Sequence, residues 1–280
     1  MEDEYFVGDG GRFAAVFDGH GGGGVSGWLR SKLYTLLHKH LKETHWEEQE
    51  SDEDNRKPSL SAYVAALRKA FSQVEKDVLE QETLAYQGST AVAVVLHESD
   101  DGHRTLISAN VGDSRAILSR RGKAIDLTRD HKPNEEREKA RILKMGEAIE
   151  WDSLSKVHRV RNLSLSRAIG DRYAKPVVSS QVEIKLFPVA EDGDEFFLLA
   201  SDGLWDVMTS QDVVSYVHQR FEKELNREQV QSPEDKENLK LVLRRNMARS
   251  LAREALRRGT GDNVCVLMVW LQDLPGAEKE

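Results

Sequence analysis

Apolar positions along the chain fall into two periods. Alternating or continuous apolar runs predict strands at 4–7, 13–17, 90–97, 104–111, 114–120, 182–187, 195–201 and 263–271. Apolar spacings of three and four predict helices at 25–41, 61–79, 135–145, 211–225 and 239–259. Strands and helices come in runs rather than in strict alternation, which predicts an α+β fold with antiparallel sheets covered by helices. The last run, NVCVLMVWL, reads as a strand buried on both faces. Two stretches break the pattern. Residues 42–59 and 223–238 are charge-rich and nearly devoid of apolar side chains, so they read as surface insertions. The rest reads as one domain over residues 1–280.

Composition narrows the function classes. No apolar run approaches the roughly 20 residues that cross a bilayer, and no signal-peptide pattern opens the chain. A net charge of −8 argues against binding to nucleic acid. Cys265 is the only cysteine; inside an apolar run it reads as a small buried strand residue without a disulfide partner, which suits a reducing compartment.

Acidic residues recur where apolar runs stop. VFDGH ends one run, ANVGDSR lies between two, FFLLASDGLWD ends another, and GTGDNVCVLMV opens the last. Each aspartate taken singly, Asp18, Asp113, Asp202, Asp206 or Asp262, fits an ordinary turn, and VGDS between two strands fits a hairpin. Taken together they point elsewhere. Strands deliver their terminal residues to a shared sheet edge, and carboxylates a few Å apart repel unless cations neutralise them. Oxygen ligands select hard ions, Mg²⁺ or Mn²⁺, and the set lacks the Cys and His groupings of zinc sites. Gly19 has no side chain to keep an ion from its carbonyl. Such a site suits hydrolysis of a phosphate ester by activated water, with the adjacent His20 able to protonate the leaving alkoxide.

These residues resemble the metal-dependent protein phosphatases of the 2C type. The resemblance rests on eight blocks in the family's order: MED at 1–3, FAAVFDGHGG at 13–22, GSTAVAVVL at 88–96, ANVGDSRAIL at 109–118, LTRDHKP at 127–133, LSLSRAIGD at 163–171, LLASDGLWDVM at 198–208 and GDNVCVLMV at 261–269. It implies two stacked antiparallel sheets flanked on both sides by helices, a four-layer αββα arrangement, and hydrolysis of phosphoserine and phosphothreonine. It also implies roles. Asp18 bridges two Mg²⁺ or Mn²⁺ ions, the Gly19 carbonyl and Glu2 hold one of them, and Asp202 with Asp262 hold the other. His20 is the general acid, and Asp113 and Asp206 serve a third ion. Thr90 matches a position near the cleft and Arg167 one beside the active-site flap, while Trp205 reads as packing.

The same resemblance sets expectations about what surrounds the domain. Members of the family usually carry an Arg a few residues before MED, on an opening strand, where the Arg grips the substrate phosphate. The sequence begins at Met1, so the expectation is an incomplete version of a longer chain, with any targeting segment lying upstream. A phosphatase-like binding protein with weakened turnover is the alternative. The expected partners are phosphorylated proteins, with no nucleic acid and no membrane span, and the expected state is a cytoplasmic or nuclear monomer.

Overall fold

The structure is a computed structural model that describes residues 1–48, 57–226 and 232–274. In chain order its elements are β1 (Glu4–Gly8), β2 (Phe13–Phe17), β3 (Gly19–His20), α1 (Gly24–Glu48), α2 (Leu60–Leu79), β4 (Gly88–Ser89), β5 (Ala91–Glu98), β6 (Arg104–Val111), β7 (Arg115–Arg120) and β8 (Lys123–Asp126). Then come α3 (Glu136–Lys144), β9 (Glu150–Asp152), β10 (Val157–Arg159), β11 (Ile169–Gly170), β12 (Glu183–Pro188), β13 (Asp194–Ala200), α4 (Asp202–Trp205), α5 (Ser210–Leu225), α6 (Pro233–Arg257) and β14 (Val266–Trp270).

Two antiparallel sheets carry the fold, ordered β1-β2-β5-β6-β12 and β14-β13-β7-β8. The two-residue alternation of a strand assigns each side chain to a layer. On β2, Phe13, Ala15 and Phe17 face α1 and α2, where they meet Leu29, Leu33, Leu67 and Phe71. Ala14 and Val16 face the other way and meet Phe197 and Leu199 of β13 between the sheets. On β13, Phe196 and Leu198 turn outward and are covered by Val213, Val217, Met247 and Leu251 of α5 and α6. The result is α+β in four layers, αββα. Truncating a residue such as Phe197 to alanine would cost about 3–5 kcal/mol.

Helix ends follow their capping residues. Ser59 accepts from Ala62 N to start α2, Thr209 and Asp212 form a capping box at α5, and Ser232 precedes Pro233 at the start of α6. The polar stretches are therefore partly helical. Residues 42–48 continue α1, held in part by Thr44 donating to the His40 carbonyl, and 233–238 begin α6. Residues 49–56 and 227–231 of these stretches lie outside the described residues.

Two strand readings change. β14 is the edge of its sheet and largely half-buried, because it pairs only with β13. Cys265, just before it, is likewise half-buried. The VGDS turn is not a hairpin: β6 pairs with β5 and β12, while β7 pairs with β13 and β8, so the turn carries the chain from one sheet to the other. No helix among the described residues is long and apolar enough to cross a membrane.

Between β8 and β12 the chain builds a flap with a small core of its own, formed by Ile142, Val160, Leu165, Ala168, Val177 and Val178. A short three-stranded sheet, β11-β4-β3, ties the flap to the loop after β2.

Candidate active site

Topology brings the strand-end carboxylates to one edge. β2 and β6 both run antiparallel to β5, so they are parallel to each other and end on the same side, one leading to Asp18 and the other to Asp113. In the second sheet the end of β13 at Ala200 pairs with the starts of β7 and β14 at Arg115 and Val266. Asp202, Asp113 and Asp262 all flank that corner.

Close backbone approaches fix the loops. Thr90 N donates to the Asp18 carbonyl at 2.9 Å, and Asp18 N returns a bond to Thr90 Oγ1 at 3.1 Å. The same hydroxyl stands 2.6 Å from Ser114 Oγ, linking the Asp18 loop to the GDS turn. A Cβ on Gly203 would overlap the carbonyl of Asn263, so only glycine lets the turn carrying Asp202 sit against the loop carrying Asp262. Gly19 is similarly tight, with Glu2 O and Ser26 Oγ each 2.7 Å from where its Cβ would be.

The charges at this corner are mutually unfavourable. Burial first, and then Asp202, Asp3, Asp113 and Asp262, push the Asp18 carboxyl up to about 10. Burial, reinforced by Asp113, Asp206 and Asp262, pushes Asp202 up to about 7. Burial also raises Asp113, against the pull of Lys132. Lys132 Nζ is 3.5 Å from Asp113 and 3.8 Å from Asp206. Burial works against its charge, yet these carboxylates keep it raised. One cation does not balance so many acids, and Asp202 Oδ1 is buried without a hydrogen-bond partner.

The donor set fits hard divalent cations: it is all oxygen, over-charged, and includes an unsatisfied carboxylate atom. It is not a closed cage. Among the described residues no three acidic, histidine or cysteine side chains already surround a common point. Few protein ligands per ion, with water completing the shell, is the habit of Mg²⁺.

The remaining candidates fall in different places. His20 lies on β3, its Nε2 2.7 Å from Asp171 Oδ2. Thr90 is buried and acts as a brace. Arg167 is bound into the flap, where it donates to Glu138 and, at 2.9 Å, to the Gln181 carbonyl. Trp205 is core, its Nε1 donating to Ala200 O at 2.8 Å, and the Arg115 guanidinium stacks 4.9 Å from its ring centroid. Glu2 meets the site through its carbonyl, which accepts from Ser26 Oγ at 2.6 Å.

Three residues that the sequence reading did not single out belong to this corner. Asp3 is among the charges that raise Asp18 and accepts from Ser201 Oγ at 2.8 Å. Lys132 joins Asp113 to Asp206, and Asp171 holds His20. Asp3 and Asp171 sit inside the blocks MED and LSLSRAIGD, and Lys132 inside LTRDHKP, which was the available signal.

An acidic corner of this design, on an αββα frame, agrees with the family comparison: a model described as protein phosphatase 2C matches residues 9–264. The chain belongs to the protein phosphatase 2C family. Among relatives of this phosphatase 2C chain, "Probable protein phosphatase 2C 75" of Arabidopsis thaliana is 34% identical, covering 93% of this chain and 65% of its own length. "Probable protein phosphatase 2C 69" of the same plant is 35% identical over 92% of this chain and 61% of its own. The chain thus spans just under two thirds of these curated relatives. A solved C. elegans sex determining protein superposes with a TM-score of 0.74 at 25% identity, over 96% of this chain and 61% of that one. The serine-threonine phosphatase 2C of Toxoplasma gondii gives a TM-score of 0.74 at 22% identity, over 96% and 90%, and so shares the fold.

Proposed function

We propose that this protein is a Mg²⁺- or Mn²⁺-dependent protein serine/threonine phosphatase. One observation carries the reading: Asp18 and Asp202 are half-buried among further carboxylates whose mutual repulsion bound cations would relieve. Membership of the phosphatase 2C family supports it.

In this reading Asp18 would serve both of two ions, the Gly19 carbonyl and Glu2 would hold one, and Asp202 with Asp262 would hold the other. Asp113 and Asp206, joined by Lys132, would serve a third ion. When bound, the ions neutralise the phosphoryl group and lower the pKa of the attacking water. The chain's own side chains do the rest. Thr90 fixes the angle at which Asp18 leaves β2, so the carboxylate is held before substrate arrives. Gly203 holds Asp202 against the Asp262 loop. His20, partly exposed at the same edge, donates a proton to the departing serine or threonine oxygen.

The test combines calorimetry with Mn²⁺ and phosphate release from a phosphothreonine peptide. Metal binding together with metal-dependent release is expected. Binding without hydrolysis would make the chain a phosphatase-like binding protein, and absence of binding would overturn the metal site.

A further inference from the structure

We propose that Asp171 is the positioning residue that orients His20, holding Nε2 and leaving Nδ1 as the atom that delivers the proton. The inference rests on the reading of His20 as general acid. Its basis is a contact between segments 151 residues apart, in which Asp171 Oδ2 stands 2.7 Å from His20 Nε2.

The surroundings are built for that contact. The Asp171 side chain is fully buried while His20 keeps about a quarter of its side chain exposed, so the pair has an inner, fixed member and an outer, working one. Asp171 adopts φ +48°, in the left-handed region. Its N–H donates to the Gln87 carbonyl at 2.9 Å, and its carbonyl accepts from Ala174 N at 2.9 Å, so the backbone is pinned on both sides. Gly88 of β4 lies between the partners, paired with His20 on one side and Gly170 on the other. A Cβ at Gly88 would overlap Asp171 Oδ2 and come within 2.5 Å of His20 Nε2. The sequence has left space for an aspartate to reach the imidazole.

A carboxylate accepts, so Nε2 carries the hydrogen, and in the neutral ring the lone pair falls on Nδ1. No hydrogen bond holds Nδ1 among the described residues. In the imidazolium, the Nδ1 proton passes to the leaving oxygen as the P–O bond breaks and its electron pair stays on that oxygen. The ring keeps Nε2–H on Asp171 and regains its Nδ1 proton from water. The role of Asp171 matches that of the carboxylate behind the histidine of a hydrolytic triad.

The test uses Asp171→Asn, His20→Ala and the double variant, each assayed on a phosphothreonine peptide and on 2,4-dinitrophenyl phosphate, whose leaving group needs no proton. Positioning predicts that Asp171→Asn lowers kcat on the peptide by about 10²-fold with little change in KM, leaves the aryl ester nearly unchanged, and adds nothing to His20→Ala. Equal loss on both substrates, or no loss where His20→Ala loses activity, would overturn it. If His20→Ala itself leaves peptide hydrolysis intact, the general-acid reading fails instead. An independent readout needs no turnover: ¹⁵N NMR of the wild-type chain should show a pyrrole-type Nε2 and a pyridine-type Nδ1 on neutral His20. The opposite tautomer would overturn the proposal even if Asp171→Asn does not fold.

Discussion

Gly203 shows how much of the site depends on a missing methyl group. Its Cβ would strike the Asn263 carbonyl, a backbone atom that cannot swing aside, so Gly203→Ala must push the Asp202 turn away from the Asp262 loop. The expected cost is about 1–3 kcal/mol of stability, in the range of overpacked cores. Metal affinity should fall as well, and a melt with a Mn²⁺ titration measures both. At this scale the sequence was legible where chemistry and local pattern coincide: Asp18, Asp113, Asp202 and Asp262 stand beside apolar runs, and a carboxylate there needs an explanation. Asp3, Lys132 and Asp171 were not legible in this way. Their meaning comes from partners far along the chain, as when Asp3 meets Ser201 across 198 residues.

Elements were read well from periodicity because a strand with Phe13, Ala15 and Phe17 on one face and Ala14 and Val16 on the other must be covered on both sides. Edges were harder. NVCVLMVWL has the composition of a central strand, yet whether a partner lies beside β14 is a matter of sheet order, which apolar content does not encode. The GDS turn was misleading for a related reason, since a tight turn joins neighbouring strands and crossing strands equally well. The flap is the element whose electrostatics are most exposed to test. Glu138 is buried; burial alone would raise its carboxyl, but Arg167 and Arg141 outweigh that and hold it at about 2. A carboxyl depressed in the folded state contributes stability that is complete above its ordinary value of 4.5 and is lost as pH falls from there towards about 2. Protection from hydrogen exchange across 160–180, taken relative to the intrinsic rate at each pH, should therefore fall in that window in the wild type, whereas Glu138→Gln should be weaker at neutral pH and flat through the window. Arg167→Ala should destabilise by less than the about 3–5 kcal/mol of a broken isolated buried pair, because Arg141 still serves Glu138. A raised KM with an unchanged melt would instead place Arg167 at the substrate.

At the scale of the whole molecule, periodicity implied sheets covered by helices but not which sheet stacks on which. The four-layer order came from the family resemblance, and the register of Ala200 with Arg115 and Val266 explains why that order gathers the acids at one corner. A fold that concentrates repulsion at one edge should be stabilised by the ions that relieve it. Saturation at a hundred times Kd is worth about 2.7 kcal/mol, so the melting temperature should rise with Mg²⁺ or Mn²⁺ and fall back in EDTA. In Asp202→Asn the rise should shrink. The most direct measurement is phosphate release from a phosphothreonine peptide as Mn²⁺ is titrated into metal-free wild type and Asp202→Asn. Activity that is absent without metal, saturates with it, and is lost in the variant by about 10²-fold or more is the expected result. Turnover in EDTA, or equal turnover in the two proteins, would contradict the assignment of this corner as the metal-dependent active site.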